Sequence, residues 1–413
     1  MSTGSIAQIG GGRYLLRVTR IVTLVLADEA GDVLGALPPF EAAVPWWQEA
    51  GDVVAAAREL HGAEVTVLRL LAAERPFPPG GAVTYLAQVH GAVPALAPAQ
   101  ALPDPDPLRA PWAVPGGPAA SIAWATSVLG RDDVVAVQQR TWNLSALWRL
   151  EAGGAPVAWL KQVPPWLGHE TAVLRLVAAV EPALVPRVLA AGDAGRELLA
   201  HVPGEDRYGA GVDLCAAVAR SFHRLQVHFA GRTGELLAAG VPDRRAEADR
   251  LTRAAEPWLD EIEGLADLID ELPARLAAAR ACGVPETLVH GDLHPGNVRE
   301  SAGRQVIVDW GDSVVGHPAY DILRLTEHLP VPDGEALIDQ WAGWWCEAEP
   351  SSDPGTAVEL LRPVVALRQA AVYQEFVDRI ERTERPYHEA DIPERLGAAV
   401  EAARPGWGGE SAG

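Results

Sequence analysis

Cysteine is scarce in this chain. Only Cys215, Cys282 and Cys346 occur among 413 residues, far apart and without metal-ligand spacing. That excludes a disulfide scaffold and a zinc ribbon, and it is the usage expected of thiols kept reduced in the cytoplasm. Long apolar runs are missing too: none could span a bilayer, so no membrane partner is expected. The opening Met1-Ser-Thr-Gly-Ser-Ile6 is polar and does not read as a secretory leader. Positive charge is in deficit, with 34 Lys and Arg against 55 Asp and Glu and a net charge of −21. A nucleic-acid partner needs a basic face, so none is expected here. The excess of carboxylates favours a cationic ligand only slightly, because solubility accounts for it equally well.

What the chain does have is concentrated in two stretches. The first is Leu288-Val-His-Gly-Asp-Leu-His-Pro-Gly-Asn297; the second is Val306-Ile-Val-Asp-Trp-Gly-Asp-Ser313. In each, a run of apolar β-formers delivers acid or amide groups into a tight turn. Asp292 and Asn297 stand five positions apart, matching the kinase pattern His-Arg-Asp-x-x-x-x-Asn with Gly291 in place of Arg. Asp309 falls at a strand end, where the Asp-Phe-Gly motif of kinases holds magnesium. Phosphoryl transfer to a hydroxyl needs a carboxylate facing that hydroxyl and hard oxygen ligands for the metal. Asp292 is expected to supply the first, and Asn297 and Asp309 the second. His290 is expected to bond backbone within the turn.

These residues, with Gly316-His-Pro-Ala-Tyr-Asp321 downstream, resemble the aminoglycoside phosphotransferase and choline-kinase-like family of small-molecule kinases. The resemblance covers about residues 118–413. It implies an α+β, protein-kinase-like bilobal fold with a small β-rich N-lobe and a mostly helical C-lobe. It also implies ATP or GTP with Mg²⁺ as cofactors and a small-molecule hydroxyl as acceptor. Lys161 would then contact the α and β phosphates and pair with Glu170 at a helix start. The loop carrying Asn143 and Ser145 would cover the phosphates, although it lacks Gly-x-Gly-x-x-Gly. His201 and Val202 would lie at the hinge that reads the nucleotide base, and Asp321 would hold the Asp292 loop rigid. Acceptor recognition is expected from Asp312, Ser313, Trp345, Tyr373 and Asp378.

Organisation along the chain follows from punctuation. Residues 93–117 form a Pro- and Ala-rich linker that favours extended conformations. It separates residues 1–92, an α/β accessory domain, from residues 118–203, the N-lobe and hinge, and 204–413, the helical C-lobe. In the accessory domain, strands are expected at 14–26, 64–71 and 82–89 and a helix at 46–60. Its Arg58-Glu59-Leu60 faintly resembles a Nudix box, but His61-Gly-Ala63 stands where that box carries metal-binding glutamates. A non-catalytic domain is therefore expected. Further helices are expected at 168–177, 212–228, 244–263 and 267–281, and a helical block at 335–402.

The expected protein is a cytoplasmic, monomeric or homodimeric kinase acting on an aminoglycoside-like antibiotic, an amino sugar or a related polar metabolite. Other acceptors, such as a sugar, an amino alcohol or an amino acid, fit the same motifs. A silent kinase fold serving as a binding or regulatory protein is the alternative. The intact set of Lys161, Asp292, Asn297 and Asp309 speaks against it.

Overall fold

The computed structural model describes residues 19–74, 79–93, 95–99, 102 and 105–404. Residues 14–18 of the expected first strand and parts of the 93–117 linker lie outside these. The chain divides into two compact units. Unit 1 comprises residues 1–166, 188–201 and 376–388; unit 2 comprises 167–187, 202–375 and 389–413.

Unit 1 contains two five-stranded sheets. The first holds β1 (Arg20–Ala27), β2 (Val33–Ala36), β3 (Phe40–Ala42), β4 (Glu64–Ala73) and β5 (Gly81–His90), with helix α1 (Gly51–His61) between β3 and β4. Its order is β2-β1-β5-β4, β3 also pairs with β1, and only β1 and β5 run parallel. Helix α1 starts at Gly51 rather than at Trp46 because a buried arginine claims the preceding backbone. Arg20, fully buried, donates to the carbonyls of Val44, Trp47 and Glu49 and pairs with Asp52 at 2.7 Å. Those carbonyls are thereby withheld from a helix.

Helix α2 (Gly117–Leu129) leads into the second sheet: β6 (Val134–Thr141), β7 (Ala146–Ala152), β8 (Ala155–Gln162), β9 (Val188–Gly192) and β10 (Arg196–Ala200). It is antiparallel throughout, in the order β6-β7-β8-β10-β9. Gly153 and Gly154, both at positive φ, make the two-residue turn between β7 and β8. Even-numbered residues of β7 and β8, such as Trp148, Leu150, Ala158 and Leu160, form one buried face, joined by Leu198 of β10. The two sheets are bound together. The Gln138 amide on β6 accepts from the N–H of Val67 and donates to its carbonyl on β4, at 2.9 and 2.7 Å, and Arg140 pairs with Glu49.

Unit 2 is mostly helical: α3 (Glu170–Val180), α4 (Val212–Ala230), α5 (Thr233–Ala238), α6 (Ala248–Ala255), α7 (Leu265–Ala281), α8 (Ala319–Thr326), α9 (Val331–Ala348), α10 (Pro354–Arg379) and α11 (Asp391–Ala403). The last turn of α10 belongs to unit 1. Short strands carry the polar turns. Strands β12 (Thr287–Val289) and β15 (Val314–Gly316) pair, as do β11 (Glu205–Asp206), β13 (Val298–Ser301) and β14 (Arg304–Ile307). The single helix expected over 244–263 is only α6 and a 3₁₀ turn. Arg244 donates its N–H to Val315, which draws the segment toward β15, and Pro257 interrupts the far end.

Candidate active site

The fully buried strand β12 leads into His290, and the chain turns at Gly291, whose φ is +89°. A Cβ at Gly291 would come within 2.2 Å of the Asp312 carbonyl oxygen, so only glycine lets the two polar turns approach. Asp321, at the start of α8 and 2% exposed, holds this turn from below. Its carboxylate accepts the N–H groups of His290 at 2.9 Å and Gly291 at 3.1 Å, and the Gln226 amide at 3.2 Å. Burial pushes the Asp321 carboxyl up to about 7, against the pull of the two N–H groups. The His290 ring lies between the carbonyl of Val308, at 3.2 Å, and the N–H of Asp292, at 3.3 Å. Burial lowers it to about 4, so it is a neutral brace rather than an acid.

Asp292 is thus presented with both oxygens occupied. Arg324 donates Nε to Oδ1 at 2.8 Å. On the other side, the Asn297 amide donates to Oδ2 at 3.2 Å and to the Asp292 carbonyl at 3.0 Å, and His294 Nε2 lies 3.4 Å from Oδ2. Burial acts to raise the carboxyl, but His294 and Arg324 outweigh it and hold it far below the usual carboxylate range. Asp292 is therefore ionised.

The second turn places Asp309 just after β14 at φ +63°, a left-handed conformation that Asp tolerates better than most residues. The start of α3 grips both sides of this turn. Glu170, 1% exposed, accepts the Trp310 N–H at 3.1 Å, and His169 meets the Ser313 carbonyl at 2.9 Å. Trp310 is fully buried and donates its ring N–H to Ile307 at 2.9 Å, which anchors the residue beside Asp309.

Asn297 and Asp309 suit a magnesium ion. The Asn297 nitrogen is turned to Asp292, which leaves its oxygen for a cation, and Asp309 is exposed. Among the described residues no group of three or more His, Cys, Asp or Glu could hold a metal alone. Magnesium bound with phosphates requires only one or two protein oxygens.

Residues 160–360 match the model of the Phosphotransferase enzyme family. The matched stretch resembles a phosphotransferase domain. It includes the end of β8 with Lys161, both polar turns and Asp321. A search of curated proteins found no match to the chain. Among solved structures, the chain is similar to macrolide 2′-phosphotransferase MphH from Brachybacterium faecium, at 19% identity and TM-score 0.44, covering 63% of this chain and 89% of that one. A choline/ethanolamine kinase family protein from Mesorhizobium loti shows 15% identity and TM-score 0.42, over 63% and 90% of the two chains. The GDP and kanamycin complex of APH(2″)-IIia shows 14% identity and TM-score 0.47, over 68% and 98%.

Within and around the matched stretch, the other expected site residues are distributed unevenly. Lys161 lies on β8 of unit 1, and Glu170 opens α3 of unit 2. Lys161 is the only lysine of the chain; every other Lys/Arg position is arginine. The Asn143 side chain does not face outward as a phosphate donor. It is 5% exposed, the residue's backbone N–H donates to Glu384 at 2.7 Å, and its Oδ1 accepts from the backbone N–H of Glu381 at 3.4 Å. Ser145 accepts from the Trp142 ring at 2.8 Å. His201 accepts from Trp159 at 3.1 Å, and Val202 is 8% exposed.

Of the expected acceptor contacts, Trp345 belongs to the core instead: it is fully buried, with the His223 ring edge-on at 4.9 Å. Ser313 is fully buried as well, and Asp378 is exposed in unit 1. Asp312 is partly buried beside Gly291. Tyr373, in unit 2, is raised to about 12 by burial and feels Asp391, Arg395, Asp292 and Arg324. Sequence reasoning missed Arg324. An arginine on a helix looks like any solvated one until its partner 32 residues away is known.

Proposed function

We propose that the protein transfers the γ-phosphoryl group of ATP or GTP to a hydroxyl of a polar small molecule. The observation that carries this reading is the bracing of Asp292. One oxygen is committed to Arg324, while Oδ2 is flanked by Asn297 and His294 on a turn fixed by Asp321. A carboxylate this strongly ionised is a weak base. Its task would be to orient the acceptor hydroxyl and take its proton late, which suits a loose phosphoryl-transfer transition state. Asn297 and Asp309 would hold Mg²⁺, which when bound neutralises charge on the phosphates. Lys161 would contact phosphate oxygens, and the backbone at His201 and Val202 would meet the nucleotide base. Tyr373, Asp312 and the Arg324–Glu327–Arg395 group, in which Arg395 meets Glu327 at 2.8 Å, would face the acceptor. That acceptor would be an aminoglycoside-like antibiotic, an amino sugar or a related polar metabolite. The accessory domain would be non-catalytic.

The test is ADP release with Mg²⁺-ATP or Mg²⁺-GTP across aminoglycosides, hexosamines, sugars, amino alcohols and hydroxy amino acids. Asp292→Ala should lower turnover by at least about 10³-fold while leaving nucleotide affinity within about twofold, because its role is confined to the transferring step. Loss of both together would overturn the assignment of Asp292.

A further inference from the structure

Lys161 has an acidic neighbour that the kinase pattern does not supply. In the antiparallel ladder of β8 and β10, Lys161 stands in register with Glu197. Residues directly opposite in such a ladder share a face, with Cβ atoms about 4.5–5.5 Å apart, a spacing that an ammonium and a carboxylate can bridge. Glu197 is 2% exposed, and a carboxylate that deep is costly unless a cation shares its surroundings. The other cations on that face have carboxylates of their own: Arg149, opposite Trp159, meets Glu151 at 2.7 Å, and Arg140, opposite Leu147, pairs with Glu49. Glu170, the partner the pattern assigns, gives one oxygen to the Trp310 backbone.

We propose that Glu197 is a positioning residue that anchors the Lys161 ammonium on the face of the second sheet, where it meets the nucleotide phosphates. The purpose of the anchoring rests on the phosphotransferase reading; the pairing itself does not. It also accounts for the one lysine in a chain otherwise furnished with arginine. A compact ammonium fits beside a cross-strand carboxylate and keeps donors to spare, whereas a guanidinium is a planar fork.

The lone lysine makes the test direct. An amine-acylating reagent can label only Lys161 and the chain's terminal amine, and peptide mass mapping separates the two. A carboxylate beside an ammonium keeps it protonated, and only the free amine reacts. Glu197→Gln should therefore speed labelling of Lys161 at neutral pH by about tenfold, the factor for one unit of pKa, and weaken nucleotide binding by a similar factor. Glu197→Asp, which keeps the charge, should restore most of both. A Glu197→Gln protein with an unchanged melting midpoint and an unchanged labelling rate would overturn the pairing. If that variant does not fold, labelling of the unaltered protein across pH decides. Half-maximal reactivity above the ordinary lysine value of about 10.4 supports the pair, and reactivity at or below it overturns it. Faster labelling in Glu197→Gln, with no nucleotide bound by the unaltered protein, would uphold the pair and sink the phosphotransferase reading instead.

Discussion

Asp309 shows at the scale of one residue how backbone and chemistry are joined. Its φ of +63° is a conformation that costs an L side chain about 1–2 kcal/mol, less for Asp. Asp309→Gly should keep or raise the melting midpoint, while Asp309→Ala should lower stability by about 1 kcal/mol; both should lose magnesium-dependent turnover. Equal midpoints for the two variants would show that the turn carries no strain. Asp321 gives a second prediction. An amide there would set an NH₂ group against a backbone N–H, so Asp321→Asn should loosen the 290–292 turn and cost about 10²-fold in kcat. An unchanged kcat would remove Asp321 from the preorganisation argument. The polar turns were readable in the sequence because their side chains crowd into the 24 residues from His290 to Ser313. Arg324 was not, because only the fold brings an arginine of α8 to Asp292.

Among the elements, the most consequential is the segment from Phe376 to His388, which returns to unit 1 after most of unit 2 is complete. Glu384, fully buried, accepts the Asn143 N–H; Glu381 pairs with Arg109 at 3.0 Å; Tyr387 bonds both the N–H and the carbonyl of Ala73, at 2.7 and 2.9 Å. Tyr387→Phe leaves both Ala73 groups without that hydroxyl and should destabilise unit 1 by about 1–2 kcal/mol in urea titration. A change below a few tenths would mean that water replaces the hydroxyl fully. None of this was legible in the sequence, where Glu381 and Glu384 look like a solvated helix face. The pairs that bury them span 272 and 241 residues. Helix α2 escaped for a different reason. Its alternation of small and apolar residues, Gly117-Pro-Ala-Ala-Ser, carries little helical amphipathic signal. The hairpin of β7 and β8 carries a plainer signal, because Gly153 and Gly154 mark its turn and apolar residues alternate along its strands.

For the whole molecule, two buried histidines should make a contribution to stability that acid removes. Burial lowers His223 to about 4 and His317 to about 3, both in unit 2. The unfolded chain binds protons on these rings near 6.5, the folded one does not, so their contribution is complete above about 6.5 and is lost as pH falls toward 4 and 3. These rings should therefore pull the urea midpoint of unit 2 down between pH 7 and 5, against Asp321, whose raised carboxyl gains stability over the same range. The change should be less downward in a His223→Gln, His317→Gln double variant, and an equal change in both would place the acid sensitivity elsewhere. The accessory sheet should also prove inseparable from the second sheet. Trp142 and Tyr387 pack against its core, and Gln138 bonds to β4. A chain lacking residues 1–92 should be insoluble, and hydrogen exchange should show β1, β5, β7 and β8 opening together; a soluble, cooperatively melting truncation would refute this. The interleaved chain path also bears on how the protein emerges from the ribosome. The first sheet is fully translated by His90, yet Tyr387 arrives 297 residues later. At about 5–20 residues per second that is a wait of about 15–60 s. For that interval, the surface meant for Tyr387 faces solvent or chaperones. A stall or nick before residue 388 would strand an unfinished N-terminal half.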